Sequence, residues 1–244
     1  MIKIRGRREI MFKILIIRHG DPDYENDCLT EVGKRDVSLL SEKLAKRNID
    51  MIFSSPYGRA KQTADAIAKT TGKAVEELDF LEEFDKKILD GENEFYPWKV
   101  PGNFLSFNSE IFNIAEFSDF KKYGEFFEEG FVDKLIETSS GLCAFLKEYG
   151  FIKVSGGYKR AAGNEENETK TLAFVCHNGK GVLLLSMLCE LPPLQVWRRF
   201  FLPTSSVTEI VFSQCEDVFL PTCVLLGDVS HLSSEKEENF ISEV

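Results

Sequence analysis

The stretch FKILIIRHGD, residues 12–21, constrains the fold more than any other part of the chain. A mostly apolar run, Phe12–Ile17, stops abruptly at Arg18-His19-Gly20. A short apolar run bounded by a turn signal is typical of a strand buried on both faces of a parallel sheet. Open α/β sheets bind ligands beyond the carboxyl ends of their strands. The sequence therefore places Arg18 and His19 at the rim of a crevice.

A second histidine occurs in the same context. The chain has three histidines, His19, His177 and His231, and His177 ends the apolar run of TLAFVCHNG. Arg-His-Gly alone is too short a motif to assign chemistry. Two of three histidines, each at a strand end before a glycine-bearing turn, are poorly explained by packing. We expect these two histidines, His19 and His177, to be functional.

Strands and helices alternate after the first strand. DMIFSS, residues 50–55, predicts a second strand, Pro56 opens a helix that Gly72 closes, and KAVEEL predicts a weaker third strand. Thr30 is the expected N-cap of an intervening helix with an apolar face of Val32, Val37, Leu39, Leu40 and Leu44. This order is typical of a parallel sheet with right-handed crossovers.

Residues 86–150 interrupt the alternation. They are rich in Phe and Glu and are predicted to form a mostly helical cap over the sheet edge, although most of the phenylalanines are expected to be extra core. Residues 155–169 predict an exposed loop or loose hairpin. The remaining predictions are a strand at TLAFVCH, a helix from about Gly179 to Glu190, paired strands at SSVTEIVFS and FLPTCVLLGD, and a frayed acidic tail from Ser233.

Composition excludes several classes of function. The 244 residues are 43% hydrophobic, which indicates a single domain, residues 1–244, with residues 86–150 as its insertion. A net charge of -10 argues against nucleic-acid partners, although a local cationic cluster can still bind a small phosphate.

No apolar run is long enough to span a bilayer, and no signal peptide is indicated. Met11 is an alternative start, after residues 1–10. The six cysteines lack CxxC spacing, which indicates reduced thiols, a cytoplasmic location and no zinc site.

Two guanidiniums are expected beside the two histidines. Arg59 lies in SSPYGRAKQTA, in the first turn of a helix that begins at a strand's carboxyl end. With Arg18 it can bind a tetrahedral oxyanion bidentately, and a helix N-terminus adds N–H donors. One imidazole can then be a nucleophile at phosphorus, and the other, if protonated, can share the charge of the phosphoryl oxygens. The acid that protonates the leaving oxygen is Glu82 or Glu83, which follow the third strand.

Seven short motifs resemble those of a known family. They are RHG at 18–20, LTEVG at 29–33, SSPYGRAKQTA at 54–64, Leu81-Glu82-Glu83, CHNG at 176–179, SSVTEI at 205–210 and GDVSHL at 227–232. In this order and with these intervals they resemble the histidine phosphatase superfamily, also called phosphoglycerate mutase-like. The resemblance covers the chain except residues 86–150, residues 155–169 and both termini.

The resemblance implies a fold and a set of roles. The implied fold is an α/β three-layer sandwich with a mostly parallel central sheet and an inserted, mostly helical cap. His19 is similar to the family's nucleophile, which forms a phosphohistidine, and Glu83 fits the family's acid better than Glu82 does. Arg18, Arg59 and His177 resemble the residues that hold phosphate, and a backbone N–H after the second histidine implies a contact at Asn178. No metal or other cofactor is implied, and His231 is expected to be structural.

One segment departs from the family pattern. Many members continue Arg-His-Gly with Glu, a hydroxyl residue, an aromatic residue and Asn, whereas this chain has Asp21-Pro22-Asp23-Tyr24-Glu25. Glu25 stands where the family's Asn would touch phosphate, unless Asn26 substitutes. The Trp-rich continuation of true phosphoglycerate mutases is also missing.

These patterns favour a metal-independent phosphatase that hydrolyses a small phosphomonoester through a phosphohistidine on His19. A phosphoglycerate mutase-type phosphotransferase is the first alternative, and a non-catalytic phospho-ligand binding protein is the second. The expected partner is a small phosphorylated molecule with a hydrophobic part, set against an apolar wall of the insertion. The patterns indicate neither nucleic-acid nor membrane partners and leave the oligomeric state open.

Overall fold

A computed structural model describes residues 10–161 and 169–232 of the chain. The strands in these residues are β1 (Ile10–Arg18), β2 (Pro22–Asp23), β3 (Cys28–Leu29), β4 (Met51–Ser54), β5 (Val75–Glu77), β6 (Ile88–Asp90), β7 (Asn93–Phe95), β8 (Phe151–Val154), β9 (Gly157–Arg160), β10 (Lys170–Cys176), β11 (Val207–Cys215) and β12 (Val218–Asp228). The α-helices are α1 (Glu31–Leu44), α2 (Gly58–Thr71), α3 (Gly102–Phe107), α4 (Ser109–Phe112), α5 (Phe131–Glu148), α6 (Asn178–Cys189) and α7 (Pro193–Arg199), with 3₁₀-helices at Asp79–Leu81, Pro97–Lys99 and Phe117–Phe126.

One eight-stranded sheet organises these elements, in the order β5-β4-β10-β1-β11-β12-β9-β8. The strands β5, β4, β10 and β1 pair in parallel, as predicted. From β1 onward the pairing is antiparallel through β11, β12, β9 and β8. The predicted α/β fold is confirmed, and its parallel half contains the strand ends that carry the candidate residues.

The sheet is covered on both faces, which makes the fold a three-layer sandwich. Successive side chains of β1 point to opposite faces, so that Ile14 and Ile16 enter one core and Leu15 and Ile17 the other. The helices α1 and α2 cover the face of Leu15, whereas α5, α6 and the insertion cover the face of Ile14. All four side chains are at most 1% exposed, as expected for a strand buried on both faces.

The helix α1 confirms one prediction and corrects another. Thr30 caps it, because the Thr30 side chain accepts a hydrogen bond from Gly33 N. The predicted apolar face is too broad, since Val32 is 43% and Leu39 is 39% exposed. The face that packs on the sheet and on α2 is narrower than the apolar pattern.

The insertion is mostly helical but also contains the β6–β7 hairpin. The expectation that most of its phenylalanines are core is met at six positions, which join the same core as Ile14: Phe104, Phe112, Phe120, Phe127, Phe131 and Phe145. Their rings pack mainly edge-to-face, which is a favourable arrangement for aromatic pairs. The description of residues 86–150 as a cap on one domain remains a prediction.

Two segments differ from the sequence prediction. Residues 151–160 form the β8–β9 hairpin, which agrees with the hairpin alternative for residues 155–160. The hairpin joins the main sheet and buries Tyr158 to 1% exposure, so the expected exposure is wrong there. The helix α7 was not predicted, because Pro192-Pro193 reads as a break. Pro193 instead occupies the first helical position, where its missing N–H leaves no backbone partner unsatisfied.

Three predictions concern residues that the structure does not describe. Residues 162–168, the tail from 233 and the alternative start involving residues 1–9 lie outside the described residues. Within the described ranges, no helix combines the length and apolarity that a membrane crossing requires.

The Thr30 cap gives a stability prediction. Its hydroxyl accepts from Gly33 N at 3.0 Å and donates to Asp21 Oδ2 at 2.5 Å, which fixes the start of α1 against the turn after His19. Thr30→Ala should lower the free energy of unfolding in urea by about 1 kcal/mol, because an N–H donor at the helix start loses its partner. Thr30→Ser should recover most of the loss. As a control, Thr70→Ala on the exposed side of α2 should have little effect; a Thr30→Ala protein as stable as wild type would contradict the cap.

Candidate active site

The backbone of His19 is anchored on both sides of β1. Its N–H donates to the carbonyl of Cys176 at 2.9 Å, and its own carbonyl accepts from Ser205 N at 3.0 Å. The strand register pairs Arg18 with Cys176, which sets His19 beside His177 at the ends of β1 and β10. Their ring centroids lie 5.1 Å apart.

The imidazole of His19 is oriented by its own turn. Its Nδ1 lies 2.7 Å from the carbonyl oxygen of Gly20, which can only accept, so Nδ1 carries the proton and Nε2 is left with a free lone pair. Burial, followed by the charge of Arg18, lowers the pKa of His19 to about 3. A neutral imidazole with a free Nε2 is what a nucleophilic histidine requires.

Two guanidiniums flank this imidazole and line the same cavity. Arg18 donates from Nη1 to the carbonyl of Leu202 at 2.7 Å and lies over the ring of Phe201. Arg59 pairs with the carboxylate of Asp27 and contacts the rings of Tyr24 and Tyr57. Both guanidiniums are therefore held in place rather than extended freely into solvent.

His177 lies directly before α6 as its N-cap residue. Its Nε2 and the Ser55 hydroxyl share a hydrogen bond of 2.8 Å, and its Nδ1 is buried without a partner in the described residues. Burial, followed by the charges of His19 and Arg59, lowers its pKa well below the ordinary histidine value. Its position next to His19 agrees with the prediction, although it does not itself line the cavity.

Glu83, rather than Glu82, lies at the cavity. The Glu83 carboxylate accepts from Lys180 N at 2.7 Å and from Gly179 N at 3.1 Å, which closes the N-terminus of α6. Burial raises the pKa of Glu83, against the opposing effect of these backbone donors, so its protonated form is favoured. Glu82 instead pairs with Lys134.

A buried lysine, Lys180, accompanies Glu83. Its Nζ donates to Thr138 Oγ1 at 2.7 Å, and burial lowers its pKa to about 8, against the opposing effect of the Glu83 charge. Lys180 is 0% exposed. It was missed by the sequence analysis because a lysine after Asn178-Gly179 reads as solvated.

Of the remaining predicted residues, one lines the cavity and the others lie outside its lining. Asn178 is one of the residues that line the cavity, and its side-chain oxygen accepts from Leu202 N at 3.0 Å. Asn26 donates to Asp23 and is exposed, so the structure gives no support to its replacing the family's phosphate contact. His231 lies outside the cavity lining, and burial lowers its pKa to about 4.

These residues face a cavity of about 1080 Å³. Its lining consists of Arg18, His19, Tyr24, Tyr57, Arg59, Glu83, Asp85, Tyr96, Trp98, Lys99, Val100, Pro101, Asn178, Trp197, Arg198, Arg199, Phe200 and Phe201. The insertion supplies an apolar part of the wall, but through Tyr96, Trp98 and Val100 rather than through its phenylalanines. Ser55 and Tyr57 lie within the SSPYGR motif and could have been found from it, whereas nothing in the sequence singles out Trp98 or Arg198.

Metal ligands are not grouped in this region. In residues 10–161 and 169–232, no three His, Cys, Asp or Glu side chains come together in a way that could hold a metal ion. The six cysteines all lie in these ranges and are free. The chemistry that the geometry offers is that of a neutral imidazole nucleophile, two guanidiniums and a carboxyl group of raised pKa.

The sequence matches known proteins over its first part. Residues 14–107 match the model of the histidine phosphatase superfamily (branch 1). Phosphoserine phosphatase 1 of Hydrogenobacter thermophilus is 29% identical over 90 residues, and a probable phosphoglycerate mutase of Photorhabdus laumondii is 26% identical over 92 residues. These matches cover 33% and 34% of this chain and only 43% of the length of each relative.

Solved structures share the fold over most of the chain. The Entamoeba histolytica phosphoserine phosphatase in complex with 3-phosphoglyceric acid is 23% identical, with a TM-score of 0.57 over 91% of this chain and 100% of that one. The mycobacterial glucosyl-3-phosphoglycerate phosphatase in complex with inorganic phosphate is 17% identical, with a TM-score of 0.57 over 91% and 99%. Residues 14–107 are thus similar to the histidine phosphatase superfamily, and the chain shares the fold of the phosphatases compared above.

Proposed function

We propose that the protein is a metal-independent phosphomonoesterase that works through a phosphohistidine on His19. The observation that carries the proposal is the hydrogen bond from His19 Nδ1 to the Gly20 carbonyl, which leaves Nε2 unprotonated in a cavity lined by Arg18 and Arg59. Two of the matched relatives act on phosphate esters by name, one as a phosphatase and one as a probable mutase.

The reaction proceeds in two displacements. The lone pair of His19 Nε2 attacks phosphorus, and the bond from phosphorus to the ester oxygen breaks as the protonated Glu83 gives its proton to that oxygen. Water then attacks the phosphohistidine, Glu83 takes up the water's proton, and inorganic phosphate and free His19 result. Glu83 suits both roles because burial raises its pKa toward the working range of a general acid and base.

The cations supply the stabilisation of the transferring group. Unaided hydrolysis of phosphate monoesters is so slow that the site must contribute on the order of 20 kcal/mol or more. Arg18 and Arg59 donate to the equatorial oxygens in a partly desolvated site, where such interactions are strong. The dianion in turn raises the pKa of His177, so that its imidazolium can share the charge.

The size of the cavity is compatible with hydrolysis of a small phosphomonoester. Ligand pockets commonly measure about 300–1,000 Å³, and this one, at about 1080 Å³, leaves room for water beside a small phosphomonoester. A phosphotransferase on the same site remains the second candidate, because both phosphatases and probable mutases occur among the relatives. Free phosphate, rather than a phosphorylated acceptor, is the expected product.

Removal of the nucleophile tests the proposal. His19→Ala should lower the hydrolysis of 4-nitrophenyl phosphate by about a thousandfold or more, because the two-step path needs Nε2. His231→Gln, at the histidine outside the cavity lining, should keep wild-type activity. Wild type, but not His19→Ala, should also form an acid-labile phosphohistidine with a labelled donor. Wild-type activity in His19→Ala would refute the assignment, and failure of the wild type to hydrolyse or become labelled would favour the binding-protein alternative.

The acid is tested by varying the leaving group. Glu83→Gln should lower the hydrolysis of glycerol 3-phosphate far more than that of 4-nitrophenyl phosphate, because an alkoxide needs a proton and a nitrophenolate does not. Glu82→Gln is the matched control and should leave both rates near wild type. Equal losses on both substrates in Glu83→Gln would mean that Glu83 only holds the α6 N-terminus in place.

The histidine pKa values give a pH prediction. All three histidines have pKa values below the ordinary 6.5, so histidine NMR of the untagged protein should show none of them titrating between pH 5.5 and 7.5. Since the unfolded chain binds these protons more tightly, the free energy of unfolding should fall as the pH drops below 6.5. Inorganic phosphate should raise the pKa of His19 and His177 by about 1–3 units and leave that of His231 unchanged. A titration of His19 near pH 6.5 without phosphate would show that its environment is misassigned.

A further inference from the structure

The cavity is lined by more cations than the phosphoryl group needs. Besides Arg18 and Arg59, its lining includes three more basic residues, Lys99, Arg198 and Arg199. The acids in the lining are Glu83, whose pKa is raised, and Asp85. This excess of positive charge occurs in a chain with a net charge of -10, so it is a local feature and not a reflection of the overall composition.

These three cations have no acidic partner among the described residues. Several other basic side chains pair with carboxylates, as in Arg47–Glu209, Lys61–Glu77 and Lys159–Asp217. In the part of the chain that the structure describes, no carboxylate lies within salt-bridge distance of Lys99, Arg198 or Arg199. Their charge is thus available to a ligand.

Arg198 is the best positioned of the three. It is half-buried in the last turn of α7, and its Nη1 donates to the carbonyl of Trp98 at 3.0 Å. Its Nε is buried and has no hydrogen-bond partner in the described residues. A guanidinium that is held by one N–H and has further donors unused is pre-organised for an anion.

The anchor of Arg198 lies beside the reaction centre. The ring of Trp98 covers Gly179, where an added Cβ would come within 2.1 Å of Cζ3. Gly179 N in turn donates to Glu83. Arg198 is therefore tied, through Trp98, to the start of α6, the same helix end that the proposed acid closes.

We propose that Arg198, assisted by Lys99, forms a second anion subsite in this cavity. The substrate is then a phosphomonoester that carries another anionic group, a carboxylate or a second phosphoryl group, on a carbon skeleton that lies against Trp98 and Phe200. The inference rests on the proposed function, because it assumes that the phosphoryl end of the substrate binds at Arg18 and Arg59.

A purely structural role for Arg198 makes a different prediction. As a clamp on the Trp98 carbonyl, or as a cation at the carboxyl end of a helix, it would affect all substrates alike. As a subsite, it should affect substrates in proportion to their second charge. Pairs of substrates that differ only in that charge separate the two roles.

The first experiment compares kcat/KM within two such pairs. In 3-phosphoglycerate and glycerol 3-phosphate the difference is a carboxylate, and in fructose 1,6-bisphosphate and fructose 6-phosphate it is a phosphoryl group. Wild type should prefer the more charged member of at least one pair by tenfold or more, the scale of a charge-assisted hydrogen bond. The pair that shows the preference identifies the anionic group.

Arg198→Gln should remove that preference. Its loss on the more charged member should exceed its loss on the partner by at least tenfold and should appear mainly in KM. Arg198→Lys, which keeps the charge, should recover part of it, and Arg35→Gln on α1, outside the cavity lining, should match wild type. Equal losses on both members of a pair, or no preference in wild type, would overturn the subsite.

A binding measurement separates this inference from the proposed function. Calorimetry with His19→Ala and the same four compounds should show tighter binding of the more charged member, and the difference should disappear in His19→Ala/Arg198→Gln. Preferential binding without turnover by the wild type would refute the phosphatase and keep the subsite. If the wild type turns the compounds over but neither its rates nor the binding data favour the more charged member, the subsite is refuted and the phosphatase is kept. Circular dichroism melting of each variant confirms that it is folded.

Discussion

The parallel register between β1 and β10 is the constraint on which the rest of the site depends. Pairing of Arg18 with Cys176 brings two histidines, 158 positions apart in the sequence, to neighbouring strand ends. A slip of one residue would reverse which face each side chain of β1 meets, and both cores would lose their apolar contacts. Because the register is held by apolar packing on both faces, the stability of the fold and the geometry of the site have the same physical origin.

Burial then determines the chemistry of the ionisable groups. It lowers the pKa of His19 and His177, so both imidazoles are neutral, and it raises the pKa of Glu83, so a carboxyl proton is held at neutral pH more readily. The same helix end places Lys180 beside Glu83, where the acid's charge partly offsets the lowering of the lysine pKa. A neutral imidazole nucleophile and a carboxyl group of raised pKa can therefore coexist, because desolvation disfavours the charged form of each.

Much of this could be predicted from the chain alone, and the failures have specific causes. Some features could be predicted because each depends on a few neighbouring residues. They are the strand ends at Arg18 and Cys176, the helix cap at Thr30 and the helix end at Gly72. The exposure of Val32 and the burial of Tyr158 could not be predicted, because burial depends on which distant element covers a position. The helix α7 was missed because Pro193 reads as a break unless its place at the first helical position is known. Arg198 was missed for a related reason, since its anchor, Trp98, lies a hundred positions away.

The sequence by itself determined the α/β class, the two histidines and two arginines at strand or helix ends, and the resemblance to the histidine phosphatase superfamily, because local patterning and short motifs encode them. The tertiary structure placed Glu83, and not Glu82, at the cavity and showed that Asp27 and Ser55 hold Arg59 and His177. It also gathered Lys99 and Arg198 near Trp98, with no carboxylate partner among the described residues. The physical reason is that charge, burial and hydrogen bonding at a site are sums over neighbours in space, and those neighbours are chosen by strand order and helix packing, which no local stretch of sequence contains.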